Sequence, residues 1–241
     1  MGGTADEPWY VTAFRADYRR VYPHRDLASA REEVGGLIEL GLQGRVLDVA
    51  CGFGRHSTAM LERGLDVFGF DLSFDLLTQA VEPVRSRIAR ADARRFPFRD
   101  DAFDSVAVLF SSFGYFGDDG DRAVLAEIAR VVRPGGLVVL DLMNPARVQA
   151  SLVPHSRTRQ DEYTLEEERS LEDEGRRVVK RVKLTGPEGQ REWQEDVRLY
   201  EPDEIEELLR QTGLTPSSSV GDFDGSPAGP MAVRQIVLAR G

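Results

Sequence analysis

The sequence predicts a doubly wound α/β fold on a mostly parallel sheet, with an antiparallel β-meander inserted late in the chain. Three observations carry this. The runs "RVLDVA", "DVFGF", "DSVAVLF" and "LVVLDL" are predominantly apolar rather than alternating, as strands buried on both faces are. Amphipathic stretches of helical period separate them, the pattern of βα units that wind a sheet. From about Asp161 to Tyr200 the period drops to two and charge rises, which marks a sheet with one solvated face.

Taken in order, the chain begins with scattered aromatics (Trp9, Tyr10, Phe14, Tyr18, Tyr22). Asp26 is then placed to cap a helix in which Leu27, Ala30, Val34, Leu37 and Ile38 recur at helical spacing, before Gly44. "RVLDVA" is a first strand, "RHSTAMLER" a helix closed by Gly64, and "DVFGF" a second strand. Ser73 caps a helix expected over residues 74–81 and ended by Pro83. "SRIARA" and "DSVAVLF" are the third and fourth strands. "DRAVLAEIARVV" is a helix stopped by Pro134, Gly135 and Gly136, and "LVVLDL" is the fifth strand. In "RRVVKRVKL" and "REWQEDVRLY", Val178, Val182, Leu184, Trp193, Val197 and Leu199 supply one apolar face, with turns at "EDEG" and "TGPEGQ". A charged disordered linker is the alternative there. "EPDEIEELLRQTG" returns to helix, with Pro202 in its first turn and Gly213 at its stop. Strands near residues 215–220 and 232–238 complete the sheet. The expected organisation is an aromatic arm or lid over residues 1–26, an α/β domain over 27–143 and 201–241, and a substrate-side meander over 144–200.

Composition narrows the function. A chain of 241 residues suits one domain with an elaboration. No stretch approaches the roughly 18 apolar residues of a membrane span. "MGGTADEPWY" carries no basic-then-apolar export signal. Cys51 is the only cysteine, in keeping with a reducing, cytoplasmic setting. The net charge of −10 argues against nucleic acid, since phosphate binding needs a basic face. Three scattered histidines and one cysteine give no zinc spacing, and no metal is expected.

The chemistry concentrates in "VLDVACGFGRHS", which begins at Val46. Gly52 and Gly54 let backbone approach a ligand closely, and the following helix offers free amides. Dinucleotide-binding loops use the same devices for a pyrophosphate, but their third glycine is here Ser57. Asp48, at the mouth of the turn, would repel a pyrophosphate and suits a cationic amine instead. Asp71, at the end of the second strand, is placed to accept both hydroxyls of a ribose, and Asp92, after the third, an adenine amine. An amine, a ribose and an adenine in that order describe S-adenosylmethionine.

Together with "VFGFDLS", "RADARRFPF", "DDAFDSVAVLFSSFGYF" and "ARVVRPGGLVVLDL", this segment resembles the class I S-adenosylmethionine-dependent methyltransferases. The likeness is greatest to their small-molecule branch, which includes sugar-amine and glycine N-methyltransferases. It implies a seven-stranded Rossmann-like sheet whose last strand is antiparallel, and S-adenosylhomocysteine as product. Carried over residue by residue, it puts Asp48 and Gly52 near the methionyl group, Asp71 on the ribose and Leu72 beside the adenine. Asp92 and Ala93 would read the adenine edge, with Phe110 near the sulfonium. Ala50, Gly54, His56 and Ser73 complete the cofactor set, His56 as a carboxylate contact or as a packing or surface residue.

On the substrate side the candidates are Tyr10, Tyr18, Tyr22, Phe113 and Tyr115, the first three as a lid that keeps water out or as an arm that meets a dimer partner. Tyr115, His24 and Asp222 are candidates to receive a proton from the acceptor, an amine or hydroxyl. "GDFDG" around Asp222 lacks the remaining ligands of a calcium loop and reads as a turn near the substrate pocket. No Asn-Pro-Pro-Tyr run follows the fourth strand, in keeping with a small-molecule acceptor rather than a nucleic-acid base. A nicotinamide-dependent oxidoreductase, an RNA-directed methyltransferase and a non-catalytic cofactor-binding protein stay open, as does monomer against homodimer.

Overall fold

The computed structural model describes residues 7–241. Residues 1–6 of the expected arm, and with them most of the segment inspected for an export signal, lie outside the described residues. Two single-turn helices come first, α1 (Trp9–Thr12) and α2 (Tyr18–Val21). In α3 (Leu27–Glu39), Asp26 is the cap: its Oδ1 accepts the Ser29 amide at 2.9 Å. Alternation follows through β1 (Arg45–Val49), α4 (Arg55–Glu62), β2 (Asp66–Asp71), α5 (Phe74–Leu77), β3 (Ile88–Arg90), β4 (Phe103–Val108), α6 (Gly117–Val131) and β5 (Val132–Met143). Then come α7 (Pro145–Ser151), β6 (His155–Gln160), β7 (Tyr163–Glu172), β8 (Arg177–Gly186) and β9 (Gly189–Arg198). The chain closes with α8 (Pro202–Gln211), β10 (Thr215–Val220) and β11 (Arg234–Arg240).

Seven strands form the main sheet in the order β10-β11-β5-β4-β1-β2-β3. All pairings from β5 to β3 are parallel, and β11 is antiparallel to both of its neighbours. The seven strands and the antiparallel last strand are as the resemblance implied. Period-two packing explains why the strands read as continuously apolar. Leu47, Val49, Val106, Val108, Val138 and Leu140 bury against α6 and α8 on one face. Their neighbours Val46, Ala107, Leu137 and Val139 bury against α3 and α4 on the other. The chain leaves β1 toward β2 and leaves β4 toward β5, so a crevice opens between the carboxyl ends of these adjacent strands.

The meander is a separate sheet, β6-β7-β8-β9, antiparallel throughout. Val182, Leu184 and Trp193 on its inner face cover Ala13, Val21 and Tyr22 of the N-terminal arm. The arm therefore packs within its own chain. Among the described residues, no helix is long and apolar enough to cross a membrane.

Several boundaries differ from expectation. The helix expected over residues 74–81 stops at Leu77. There the Asp75 carbonyl, which a continuing helix would offer to the Gln79 amide, accepts Thr78 Oγ1 and Gln79 Nε2 instead. Pro134, Gly135 and Gly136 do not separate α6 from a later strand. They form an irregularity inside β5, where pairing jumps from Phe103↔Val132 to Ser105↔Leu137. A Cβ on Gly136 would lie 2.9 Å from the Asp104 carbonyl oxygen, so only glycine fits. β6 begins ahead of the expected alternation because "HSRTRQ" holds no apolar residue. It is held by its ladder to β7 and by charge pairs such as Arg157–Glu166 at 3.6 Å.

Candidate active site

The turn after β1 is wound tightly by left-handed residues: φ is +56° at Ala50, +59° at Gly52 and +79° at Gly54. A Cβ on Gly54 would sit 2.5 Å from Val84 Cγ1, so the turn fits against Val84 only without a side chain there. This winding turns the Gly52 amide onto Asp71, whose Oδ2 accepts it at 2.8 Å while its Oδ1 accepts the Ser73 amide at 2.7 Å. Asp48, 2% exposed, accepts the Ser57 hydroxyl at 2.6 Å from the first turns of α4. Burial pushes its pKa up to about 6 against the opposing pull of Ser57 and Arg55. Burial raises Asp71 as well, against the Ser73 and Gly52 amides.

Both carboxylates face one cleft of about 970 Å³, its open mouth included. Its floor is the glycine turn with Phe53, and one end is an apolar slot of Leu72, Leu76, Ala91 and Ala93. The opposite end is built around Phe110. Phe110 and Ser111 both adopt φ above +50°, a conformation non-glycine residues rarely hold. Asp141 fixes it: Oδ2 accepts the Phe110 amide at 2.7 Å, and the Asp141 carbonyl accepts the Ser111 amide at 3.0 Å. Three guanidinium groups surround the Phe110 ring, Arg55 at 4.0 Å, Arg234 at 4.3 Å and Arg25 at 5.3 Å from its centroid.

Two of these cations have counter-ions, one buried and one half-buried. Arg234 Nη1 lies 3.0 Å from Asp141 Oδ2. Glu33 Oε2, on α3, takes both Arg55 Nη1 at 2.8 Å and His56 Nε2 at 2.7 Å. Burial works to raise the Glu33 pKa, but His56 and Arg55 outweigh it and hold the carboxyl below its ordinary value. For His56 burial dominates instead, and its pKa falls to about 4, so the ring is neutral at pH 7. Arg55 is 7% exposed, and its Nη2 is buried with no hydrogen-bond partner.

The roof is aromatic. Tyr10, Phe14 and Tyr18 of the arm and Tyr115 and Phe116 of the β4–α6 loop line the cleft. Phe14 stacks on Tyr115 with centroids 6.0 Å apart. The Ser73 hydroxyl, which caps α5, donates to the Phe14 carbonyl at 2.6 Å and ties the arm to the end of β2. Behind the roof, the Tyr22 hydroxyl donates to Glu195 Oε1 at 2.6 Å and accepts from Lys180, linking the arm to β8 and β9.

Of the residues singled out in the sequence, Asp48, Ala50, Gly52, His56, Asp71, Leu72, Ala93 and Phe110 line this cleft, with Tyr10, Tyr18 and Tyr115. Gly54 and Ser73 shape the turn and the arm from behind. Asp92 does not reach the cleft: Arg94 grips its carboxylate with Nη2 at 2.6 Å and Nε at 3.0 Å, and holds its pKa down. Ala93, beside it, is what lines the slot. Phe113 is buried behind the loop against Tyr200, and Tyr22 lies in the roof's second layer. His24 is exposed outside the cleft, and Asp222 points to Arg234 at 3.5 Å and to its own loop. Tyr115 is in place, but burial, with Tyr18 and Glu195 nearby, raises its pKa well above the ordinary phenol value. It is a hydrogen-bond donor and not a base. Phe110, Tyr18 and Tyr10 have their rings engaged by arginines, so among these residues the aromatic surface open to a cationic group is that of Phe14 and Tyr115.

Sequence reasoning missed Arg25, Glu33, Arg55 and Asp141. Only Arg55 carried a signal, as the first residue after the glycine turn.

Residues 46–136 match the family described as "Methyltransferase domain". The methyltransferase CcbJ from Streptomyces caelestis superimposes with a TM-score of 0.75 over 88% of this chain and 94% of its own, at 17% identity. The chain has the class I methyltransferase fold. CalS10, an amino pentose methyltransferase from Micromonospora echinaspora described with S-adenosylmethionine bound, aligns at 22% identity and a TM-score of 0.67 over 92% of this chain and 95% of its own. Demethylmenaquinone methyltransferase from Renibacterium salmoninarum is 40% identical over 104 residues, 42% of each chain, so the chain spans less than half of this curated relative. The methyltransferase domain match runs from β1 into β5 and takes in the glycine turn, Asp71 and Phe110. Most of the arm–meander roof lies outside it.

Proposed function

We propose that the protein is an S-adenosylmethionine-dependent methyltransferase that moves a methyl group by in-line displacement to a small-molecule acceptor, an amine or hydroxyl, leaving S-adenosylhomocysteine. The observation that carries this reading is the pair Asp48 and Asp71, two buried carboxylates on either side of one glycine turn, with an apolar slot beside them. The donor set fits the cofactor part by part. Asp48 suits its ammonium, the orphaned Nη2 of Arg55 suits its carboxylate, and Asp71 suits the ribose hydroxyls. Leu72, Leu76, Ala91 and Ala93 suit a purine. A pyrophosphate would meet two carboxylates here, which disfavours a dinucleotide.

When bound, the cofactor supplies a methyl group already activated by a positive sulfur. The protein's own share is alignment and dryness. Asp48, Asp71 and the glycine turn hold one partner in place, which removes the entropy cost of a chance encounter. Tyr10, Phe14, Tyr18 and Tyr115 exclude water, and Phe14 and Tyr115 offer aromatic faces to positive charge. Tyr115 keeps its proton and donates, so an amine acceptor must arrive neutral.

The acceptors named for the relatives, an amino pentose for one and demethylmenaquinone for another, support a small molecule. So does the net charge of −10, which offers little to a nucleic acid. The test is calorimetry with S-adenosylmethionine, S-adenosylhomocysteine and NAD, using Asp71→Ala as control. Micromolar binding of both adenosyl ligands, lost in the variant and absent for NAD, is the expected result. Binding of NAD alone would overturn the proposal.

A further inference from the structure

Two consecutive residues at the cleft stand in a conformation that side chains disfavour, and a single residue holds both. Phe110 has φ +54° and Ser111 +57°, just after the end of β4. In that region a Cβ crowds the neighbouring carbonyl, so such a pair unwinds unless its surroundings pin it. The comparable pair Asp173 and Glu174 belongs to the exposed turn between β7 and β8, where water serves the backbone. Phe110 and Ser111 are pinned from inside instead. Asp141, on the adjacent strand β5 and 0% exposed, accepts the Phe110 amide on Oδ2 at 2.7 Å and the Ser111 amide on its carbonyl at 3.0 Å. Arg234 Nη1 fixes the carboxylate in turn, at 3.1 Å from Oδ1 and 3.0 Å from Oδ2.

We propose that Asp141 is a positioning residue for methyl transfer: it holds Phe110 and Ser111 left-handed, so that the β4 end of the cleft is shaped before the cofactor arrives. This rests on the cofactor reading above. There the purine lies at the β2 and β3 ends and the ammonium at Asp48 on β1, and the sheet order β4-β1-β2-β3 puts Phe110 next to the cofactor's amino-acid arm. Leu109, Phe110 and Ser112 line the cleft at this place, and the same loop runs on to Tyr115 in the roof. The Phe110 ring is also the surface against which Arg55 rests at 4.0 Å and His56 at 5.4 Å. Unwinding the pair to extended backbone turns that ring away and moves the loop that carries Tyr115. Asp141 lies behind the turn, shut off from the cleft, and acts on a ligand only through it.

The experiment is calorimetric titration of the full chain with S-adenosylhomocysteine, with melting curves to confirm that each variant is folded. Asp141→Ala is expected to bind about tenfold more weakly than the parent, the scale of one left-handed residue set free. Asp141→Asn, whose side-chain oxygen still accepts the Phe110 amide, should lose clearly less. Glycine holds the left-handed region without strain, so adding Ser111→Gly to Asp141→Ala should restore a large part of the loss. Adding Asp101→Gly instead, at a left-handed residue of φ +53° just before β4 at its far end, should restore nothing. Ser111→Val with Asp141 intact puts a β-branched side chain where φ is positive and should weaken binding by itself, which carries the test if Asp141→Ala does not fold. Unchanged affinity in Asp141→Ala or in Ser111→Val overturns the proposal. So does equal loss in Asp141→Ala and Asp141→Asn, or the same effect from both glycines, since a merely structural role of the Asp141–Arg234 pair gives those results. A parent that does not bind S-adenosylhomocysteine overturns the cofactor reading and this role with it, whereas binding by the parent with no loss in the variants overturns this role alone.

Discussion

The Ser57 hydroxyl donates to the buried carboxylate of Asp48 across 2.6 Å, and this bond joins the end of the first strand to the helix behind the glycine turn. It is also the bond that opposes burial in setting when Asp48 ionises.

Asp48 must be ionised to attract an ammonium, and in the free protein its pKa is about 6. Affinity for S-adenosylhomocysteine is therefore expected to be flat above pH 7 and to fall by up to about tenfold per pH unit below pH 6, one proton being released on binding. Ser57→Ala removes a hydrogen bond to the charged form, so the midpoint should move upward. Calorimetry from pH 5 to 8 on both proteins checks this; a pH-independent affinity would count against Asp48 as the ammonium's partner.

Asp48 and His56 act on stability in opposite senses over the same pH range. His56 titrates near 4 in the fold and near 6.5 unfolded, so its stabilisation is full above pH 6.5 and is lost as pH falls toward 4. Asp48 is raised, so its contribution is full below pH 4 and is lost as pH rises to 6. Each amounts to about 3 kcal/mol across the window, and the two largely offset. In His56→Gln the Asp48 slope stands alone. Relative to the parent, the variant should be more stable at pH 4 than at pH 7 by about 3 kcal/mol, as read from urea melts.

Removing the carboxylate at position 33 strands Arg55 in the interior. Glu33→Gln is expected to destabilise the protein by about 3–5 kcal/mol, the usual cost of an uncompensated buried charge. Glu33→Asp, which keeps the charge on a shorter stem, should recover part of it in the same denaturation experiment.

Gly54→Ala combines a left-handed φ with a Cβ 2.5 Å from Val84 Cγ1. A loss of about 1–3 kcal/mol is expected, with weakened S-adenosylhomocysteine binding. The double variant with Val84→Ala should not recover the backbone share. Full recovery would mean that only the clash mattered.

Deleting residues 1–22 takes Tyr10, Phe14 and Tyr18 from the roof and uncovers Val182, Leu184 and Trp193. Trp193 is then the only tryptophan, since the sequence has two and Trp9 is removed. Its fluorescence should shift to the red, and S-adenosylhomocysteine affinity should drop at least tenfold. Unchanged affinity would sink the lid.

The strands, the helix caps and the glycine turn were legible because each follows from local rules: apolar runs, Asp26 and Ser73 as caps, and glycine where φ is positive. Asp48 and Asp71 were legible because they end strands whose direction was already set. Asp92 was misplaced because its partner, Arg94, lies two residues away and takes the carboxylate locally. The charges around Phe110 were legible only at Arg55, which follows the glycine turn. Arg25, Glu33, Arg55 and Asp141 come from four elements and meet only through tertiary packing, and nothing in their spacing announces it. Likewise the irregularity at Gly136 depends on Asp104 in the neighbouring strand.

β11 enters the sheet between β5 and β10, pairing from Arg234↔Met143 to Arg240↔Leu137. During synthesis, then, β5 has no outer neighbour until nearly all of this chain has left the ribosome, and in that interval it presents an open, strongly apolar edge. Ser57, Asp48 and Asp71 will have emerged long before, but Asp141 cannot receive Arg234, nor Phe110 its third guanidinium, until that strand closes the gap. Completion of the cleft is thus tied to the emergence of β11, and a nascent chain stalled in the meander would be exposed to aggregation with its cleft unfinished.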